Sequence, residues 1–198
     1  MWPAAPSARG VEMFPVALDL KTLRSAVAGG GEAAERRLRL LDEAGAAAVR
    51  VFAPEPEAAM EARAGARLER RLPEAGDLAH LDVLFIADLG ETDERRLAAA
   101  ARAAKVLVNT EDVRPLCDFH VPAIVRRGDL LLAVSTGGAS PGLARRLKRH
   151  LEALFGAEWS ARIDEISGAR ARWREEGLTL PELARRTDAL IDEKGWLS

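Results

Sequence analysis

Cysteine, net charge and long apolar runs are what this sequence has least of. One cysteine in 198 residues excludes an intramolecular disulfide framework and a zinc site built from several thiolates. The 29 basic and 31 acidic side chains nearly cancel, leaving a formal net charge of −2. That balance argues against a general nucleic-acid binder, although a local basic patch remains open. The dense apolar run from Leu130 to Val134 is far too short to cross a bilayer, so no membrane partner is expected. Residues 1–12 contain no basic segment followed by an apolar one, so no secretion signal is expected and a cytoplasmic protein is. What is present is a globular composition, 48% hydrophobic and 30% charged. The length suits one ordinary domain or two small ones sharing a core.

Residues 1–12 are rich in Pro, Ala and Gly without periodicity and read as a loose tail. Regular structure is expected to begin at Phe14–Leu20. A run from Ser25 to Ala28 leads into Gly29-Gly30-Gly31. The helix after it places Ala34, Leu38 and Leu41 on one face, with Glu35 and Arg39 as an i,i+4 pair and Gly45 at its end. Ala48–Phe52 alternates as a strand, Glu57–Ala64 reads as a short helix, and Ala66–Arg71 as a short strand. Val83–Ala87 is apolar throughout, as in a strand covered on both faces. Thr92 is placed to cap a helix that turns Leu97, Ala100, Ala101 and Ala104 inward. Val106–Val108 is a further buried strand ending at Asn109. Strand and helix alternate, so the predicted fold class is α/β with a Rossmann-like parallel sheet.

After Asp112 the pattern changes. Ala123–Val125 and Leu130–Ser135 flank Arg126-Arg127-Gly128-Asp129, a hairpin with a four-residue turn. Ser140-Pro141 opens a helix with the apolar stripe Leu143, Leu147, Leu151 and Leu154. A following helix carries Trp159, Ile163, Ile166 and Trp173 on one side. Thr179 and Glu182 form a capping box for the last helix.

Three segments carry candidate chemistry. Gly29-Gly30-Gly31-Glu32-Ala33-Ala34 fits G-x-G-x-x-G/A between a strand and a helix. Glycines there permit a tight turn, and the helix N-terminus offers free N–H groups to a diphosphate, so the context favours nucleotide binding over a plain strand–helix turn. The acid that usually follows about 20 residues on is missing, and Glu55 or the backbone near Ala53 is left for that task. Asn109-Thr110-Glu111-Asp112 falls at the C-terminal end of a strand, where α/β sheets bind ligands. A carboxylate there serves as a general base or metal ligand, or merely as loop polarity. Ser135–Pro141 is either an anion-binding loop or a turn with an N-cap. Arg145, Arg146, Lys148 and Arg149, with Arg126 and Arg127, suit either a polyanionic ligand or a solvated face. Cys117 and His120 do not complete a metal site, and His80 and His150 stand in no motif.

Taken together these segments resemble the precorrin-2 dehydrogenase family, the NAD-dependent module of siroheme synthases, some members of which are also sirohydrochlorin ferrochelatases. The resemblance rests on Pro15–Leu20, Gly29–Glu32, Leu40–Ala46, Ala53-Pro54-Glu55, Val108–Asp112, Leu116–Phe119, Pro122–Gly128 and Ser135–Pro141, in the family's order. It implies an NAD domain over 13–113, a dimerisation region over 114–150 and a helical region over 151–198. It implies a homodimer whose active site lies between the first two. The implied reaction passes hydride from precorrin-2 to NAD and yields sirohydrochlorin, with Fe2+ insertion in bifunctional members. Asp112 falls at the family's key carboxylate, Glu32, Ala33, Ala53 and Pro54 at its cofactor contacts, and Thr136 where some members carry a regulatory phosphoserine. Gly29, Gly30, Gly31, Asp88 and Asn109 complete the expected cofactor set. Arg126, Arg127, Ser135, Thr136, Gly137 and Ser140 form the expected site for the tetrapyrrole's carboxylates. The segment Ala87-Asp88-Leu89-Gly90 departs from the family's Ala-Thr-Asp-Asp at the cofactor edge. The sequence stops at Ser198, so precorrin-2 is expected from another protein. The competing expectations are a chelatase without dehydrogenase activity and an inactive tetrapyrrole- or NAD-binding dimer.

Overall fold

The computed structural model describes residues 13–197, so the expected tail at 1–12 lies outside the described residues. The chain divides into two compact units, one spanning 15–121 and the other 122–197 with residues 13–14. No helix among the described residues is long and apolar enough to cross a membrane.

The first unit is a five-stranded parallel sheet. Its strands are β1 (Arg24–Ala28), β2 (Ala48–Phe52), β3 (Leu68–Glu69), β4 (Val83–Ile86) and β5 (Leu107–Thr110). Their spatial order is β3-β2-β1-β4-β5, so the chain winds outward from β1, then returns to the other side at β4. The helices are α1 (Glu32–Glu43), α2 (Ala58–Ala64), α3 (Ala75–Leu78) and α4 (Glu91–Ala103). Alternation along the strands builds two cores. Ala26, Ala28, Leu84 and Ile86 meet Leu97, Ala98 and Ala101 of α4. Val27, Val83 and Phe85 meet Ala34, Leu38 and Leu41 of α1 and Met60 of α2. Ser25 is fully buried in β1, and its hydroxyl donates to the Ala48 carbonyl at 3.4 Å.

Several local expectations are corrected. Phe14–Leu20 forms no strand or helix; the Asp19 carboxylate accepts from Lys21 N at 3.0 Å and closes a turn just before β1. Glu35 pairs with Arg63 of α2 rather than Arg39, because a tertiary partner lies nearer; the i,i+4 pair on α1 is Glu32–Arg36. The expected strand 66–71 shrinks to Leu68–Glu69, because Gly65–Arg67 forms a 3-10 turn and Arg71 N folds back on Glu69 O. Gly90 rather than Thr92 caps α4, and Ala98 replaces the exposed Ala100 and Ala104 on its buried face. The short helix α3 had no periodic signal.

Charge ties the sheet's edges together. Asp82 holds the amino end of β1, accepting from Arg24 N at 2.8 Å and from Nε and Nη2 of its guanidinium. The Arg24 side chain holds the Asp82 carboxyl down at about 2. Asp77 lies well below the usual carboxylate range, first because Arg71 donates to it, with Arg50 adding to the effect. A depressed folded pKa stabilises above the unfolded carboxylate value near 4 and ceases to do so as pH falls through the folded value. The first unit is therefore expected to lose stability on acidification from about pH 4 to pH 2, measured as a falling melting temperature. Asp82→Asn flattens that fall; an equally steep fall in the variant contradicts the assignment.

The second unit opens with the hairpin β6 (Ala123–Arg127) and β7 (Leu130–Val134). Its turn has two residues rather than four. Gly128 adopts φ +58 and Asp129 does not share the positive φ, as a tight hairpin of the II′ kind requires, so Arg126 and Arg127 stay in the strand. Three helices follow: α5 (Pro141–Leu154), α6 (Trp159–Glu175) and α7 (Leu180–Lys194). The boundary expected at 150/151 falls inside α5, which runs on unbroken. Thr179 and Glu182 form the capping box of α7. On α6, Trp159 is buried, packs on Phe155 at 5.1 Å and lies beneath the Arg162 guanidinium.

Candidate functional site

The site in the first unit begins with three glycines whose positions are fixed by the protein's own backbone. Gly29 has φ +136, and a Cβ there would stand 1.7 Å from the Ala87 carbonyl oxygen at the end of β4. A Cβ on Gly30 would stand 2.7 Å from the Glu55 carbonyl oxygen, and on Gly31 2.8 Å from the Asp88 carboxylate. The turn is thus drawn tightly between the ends of β2 and β4. Gly29→Ala is expected to destabilise the first unit by about 3 kcal/mol or more, since strain and overpacking act together. Urea denaturation checks it; an unchanged midpoint contradicts the geometry.

Gly31 precedes α1 and carries no capping side chain. The N–H groups of Glu32 and Ala33 begin the helix and have no acceptor within it. The third position is capped from elsewhere: Asp88 Oδ2 accepts from Ala34 N at 2.8 Å. Asp88 reaches it from a left-handed conformation, φ +55. Ala53, at the carboxyl end of β2, is buried and donates its N–H to Glu69 O, while Pro54 is exposed.

The carboxyl end of β5 supplies the second half of the site. Asn109 is 5% exposed and donates from Nδ2 to Phe119 O at 2.9 Å. Its Oδ1 and the Thr110 hydroxyl are buried with no hydrogen-bond partner among the described residues. Buried polar atoms are rarely left so, and both suit a polar ligand group. Glu111 is bound by Arg37 of α1. Asp112 follows at φ +56, exposed, and its carboxylate has no partner among the described residues. The Cys117 thiol fastens this loop, lying 3.3 Å from Thr110 N and 3.1 Å from Thr110 O. Burial pushes that thiol up from its ordinary value, which suits a packing role rather than a nucleophile. Residues 118–119 then return along β5, with Asp118 N donating to Val108 O at 2.7 Å, so the first unit continues to Val121, beyond the expected 113.

The remaining expected residues lie in the second unit. Arg126 is exposed on β6. Arg127 is not available as expected: its guanidinium donates to Phe155 O at 2.8 Å and Glu152 O at 3.3 Å, satisfying carbonyls at the end of α5 that the helix leaves open. The loop 135–140 is folded on itself. Ser135 Oγ accepts from Gly137 N, Thr136 Oγ1 from Ser140 N, and Ser140 Oγ from Leu143 N as the N-cap of α5. Left-handed Gly137 and Gly138 carry the chain through that turn.

The sequence and the fold match known proteins. A profile of a putative NAD(P)-binding family covers residues 16–123, more than half the chain. The chain belongs to this NAD(P)-binding family. A second profile, the sirohaem biosynthesis protein central region, covers 127–154. Among curated relatives, a siroheme synthase of Methylococcus capsulatus is 37% identical over 168 residues, which is 83% of this chain and 35% of that protein. One from Methylobacillus flagellatus is 38% identical over the same shares. The chain thus spans about a third of the length of the curated relatives it matches. A solved structure, SirC, a precorrin-2 dehydrogenase, superposes with a TM-score of 0.70 at 28% identity, covering 94% of this chain and 93% of that one.

The residues present fit the nicotinamide dinucleotide that this family binds. The turn brings unpaired helix N–H groups to the sheet's carboxyl edge, and the orphaned Asn109 and Thr110 oxygens lie at the end of β5 in the same unit. Sequence reasoning missed Arg37 and the capping role of Asp88. Arg37 had a signal: it shares the i,i+4 row of Ala33 and Leu41, so a charge stood at the margin of an apolar stripe and called for a partner. Asp88 had none, because its partner lies 54 positions away.

Proposed function

We propose that this chain oxidises precorrin-2 to sirohydrochlorin with NAD in siroheme biosynthesis. The observation that carries the reading is the likeness to a precorrin-2 dehydrogenase over nearly the whole of both chains. The glycine turn after β1 and a free carboxylate after β5, both at the carboxyl edge of one parallel sheet, supply the matching chemistry. In this reading the N–H groups of Glu32 and Ala33, at the turn of Gly29, Gly30 and Gly31, hold the diphosphate. The backbone at Ala53 and Pro54 borders the ribose, and Asn109 offers its unpaired oxygen to a polar group of the cofactor. A nicotinamide held there would supply the hydride acceptor. Loss of hydride from one carbon of precorrin-2 leaves a proton to be removed from its neighbour, and Asp112 takes it. One hydride and one proton leave the substrate, so one NAD is reduced for each molecule oxidised.

Arg126 and the loop with Ser135, Thr136, Gly137 and Ser140 are assigned to the tetrapyrrole's carboxylates. Arg127 is reassigned to closing α5. The protein acts as a cytoplasmic homodimer joined through the exposed leucines of α5. The test is to incubate purified protein with enzymatically made precorrin-2 and NAD, without metal. The bands of sirohydrochlorin appear; an unchanged spectrum overturns the reading.

A second activity rests on the same unpaired Asp112 carboxylate, which is free to hold Fe2+ as a substrate before insertion into sirohydrochlorin. Iron-dependent conversion of sirohydrochlorin above the spontaneous rate, without NAD, supports it. A rate equal to background removes it.

A further inference from the structure

The cap of α1 is a charged group borrowed from another part of the sheet. Asp88 follows β4, and its Oδ2 accepts from Ala34 N at 2.8 Å. The carboxyl group lies against Gly31, where a Cβ would meet Oδ2 at 2.8 Å. A helix N-terminus is electropositive and stabilises one nearby anion. Here a protein carboxylate already provides that anion. Among the described residues, no lysine, arginine or histidine pairs with Asp88. Its charge is felt nearby: Glu94 is pushed upward by burial first, then by the charges of Glu91 and Asp88.

A dinucleotide brings a diphosphate to the same helix end. We infer that Asp88 is an affinity-setting residue, a resident negative charge at the N-terminus of α1 that weakens the binding of nicotinamide dinucleotides. The inference rests on the cofactor assignment made above and adds the direction in which one residue tunes it. Two ligands of the helix end share one dipole, and each reduces what the other gains. A diphosphate held by the N–H groups of Glu32 and Ala33 would also meet direct repulsion from the carboxylate bound at Ala34 N. Gly31 has a second explanation on this view, since the Asp88 carboxyl occupies the space a side chain would need.

Asparagine is the appropriate probe. Its side-chain oxygen retains the bond to Ala34 N, and asparagine tolerates the left-handed backbone found at Asp88. Only the charge is removed. Calorimetric titration with NAD is expected to give Asp88→Asn a dissociation constant about tenfold or more below that of the unaltered protein. The gap narrows at high salt, because screening weakens a repulsion between charges. A change in packing alone would not narrow with salt. Asp88→Ser, which removes the charge and keeps a short capping side chain, tightens binding as well and covers the case in which the asparagine variant folds poorly.

Tighter binding in either variant, converging with the unaltered protein in salt, supports the inference. Binding by a variant alone supports it more strongly. Equal or weaker binding in folded variants overturns it while leaving the cofactor assignment intact. No binding of NAD by the unaltered protein or by either folded variant overturns both.

Discussion

Asp112→Asn is expected to lower kcat for precorrin-2 oxidation by about a hundredfold to ten-thousandfold, the usual range for losing a proton acceptor. The structure makes this a clean substitution. Asp112 is exposed, and no partner among the described residues depends on its charge. Its backbone sits at φ +56, which asparagine accepts readily. The melting temperature therefore stays where it is, and KM changes little, since the substrate's many carboxylates are held elsewhere. The contrast lies next door. Glu111 is bound to Arg37, both side chains mostly buried, so Glu111→Gln disturbs the link between α1 and the loop instead. Steady-state kinetics on the two variants separates the roles. A loss below tenfold in Asp112→Asn contradicts proton transfer to this carboxylate.

Replacing Leu143 and Leu147 together by aspartate is expected to convert the proposed dimer into a 21.4 kDa monomer. These residues lie one turn apart on α5 and are 49% and 39% exposed, with Leu154 further along the same helix at 57%. Leucines repeated on one open face are not explained by the fold of the second unit. Covering each one gains about 1.5–3 kcal/mol at most, so a few of them decide association. Leu131 on β7 is also exposed, in the hairpin of the same unit. At 49% and 39% exposure each position lets an aspartate turn its carboxylate to solvent in the monomer. Light scattering on both proteins provides the measure. A monomeric parent protein, or a variant that remains dimeric, contradicts this use of the leucines.

The parts of the fold that were legible are those encoded within a few residues. The apolar run Val83–Ala87 signals a strand covered on both faces, and Gly29–Gly31 between strand and helix signals the turn. Thr179 and Glu182 announced a helix start. Each signal has its cause within one turn or one pleat. The parts that were not legible depend on distant partners. Arg50 and Arg71 converge on Glu69 and Asp77 around the Phe52 ring, which is why β3 and α3 are short and held by charge rather than by pattern. The tail of the first unit extends past the expected boundary because Asp118 bonds to Val108 and Phe119 O accepts from Asn109 Nδ2, without alternating along a recognisable strand.

The site shows the same division. Asn109 and Asp112 followed from the rule that ligands collect at the carboxyl ends of parallel strands. Arg127 carries the same sequence signal as Arg126, yet its donors are taken by the end of α5. A basic pair on a hairpin says nothing of which member faces a helix terminus, since neighbours on a strand point to opposite sides. Asp88 read as a cofactor-edge residue from its place in the chain, but its carboxylate reaches Ala34, which only the folded β4–α1 junction brings near.

The most direct test of the account counts hydrides. Purified protein is mixed with precorrin-2 and NAD under metal-free conditions, and absorbance at 340 nm is followed together with the bands of sirohydrochlorin. The account predicts one NADH formed for each sirohydrochlorin produced. Precorrin-2 that persists while NAD is demonstrably bound, or sirohydrochlorin that forms without NADH, would contradict it.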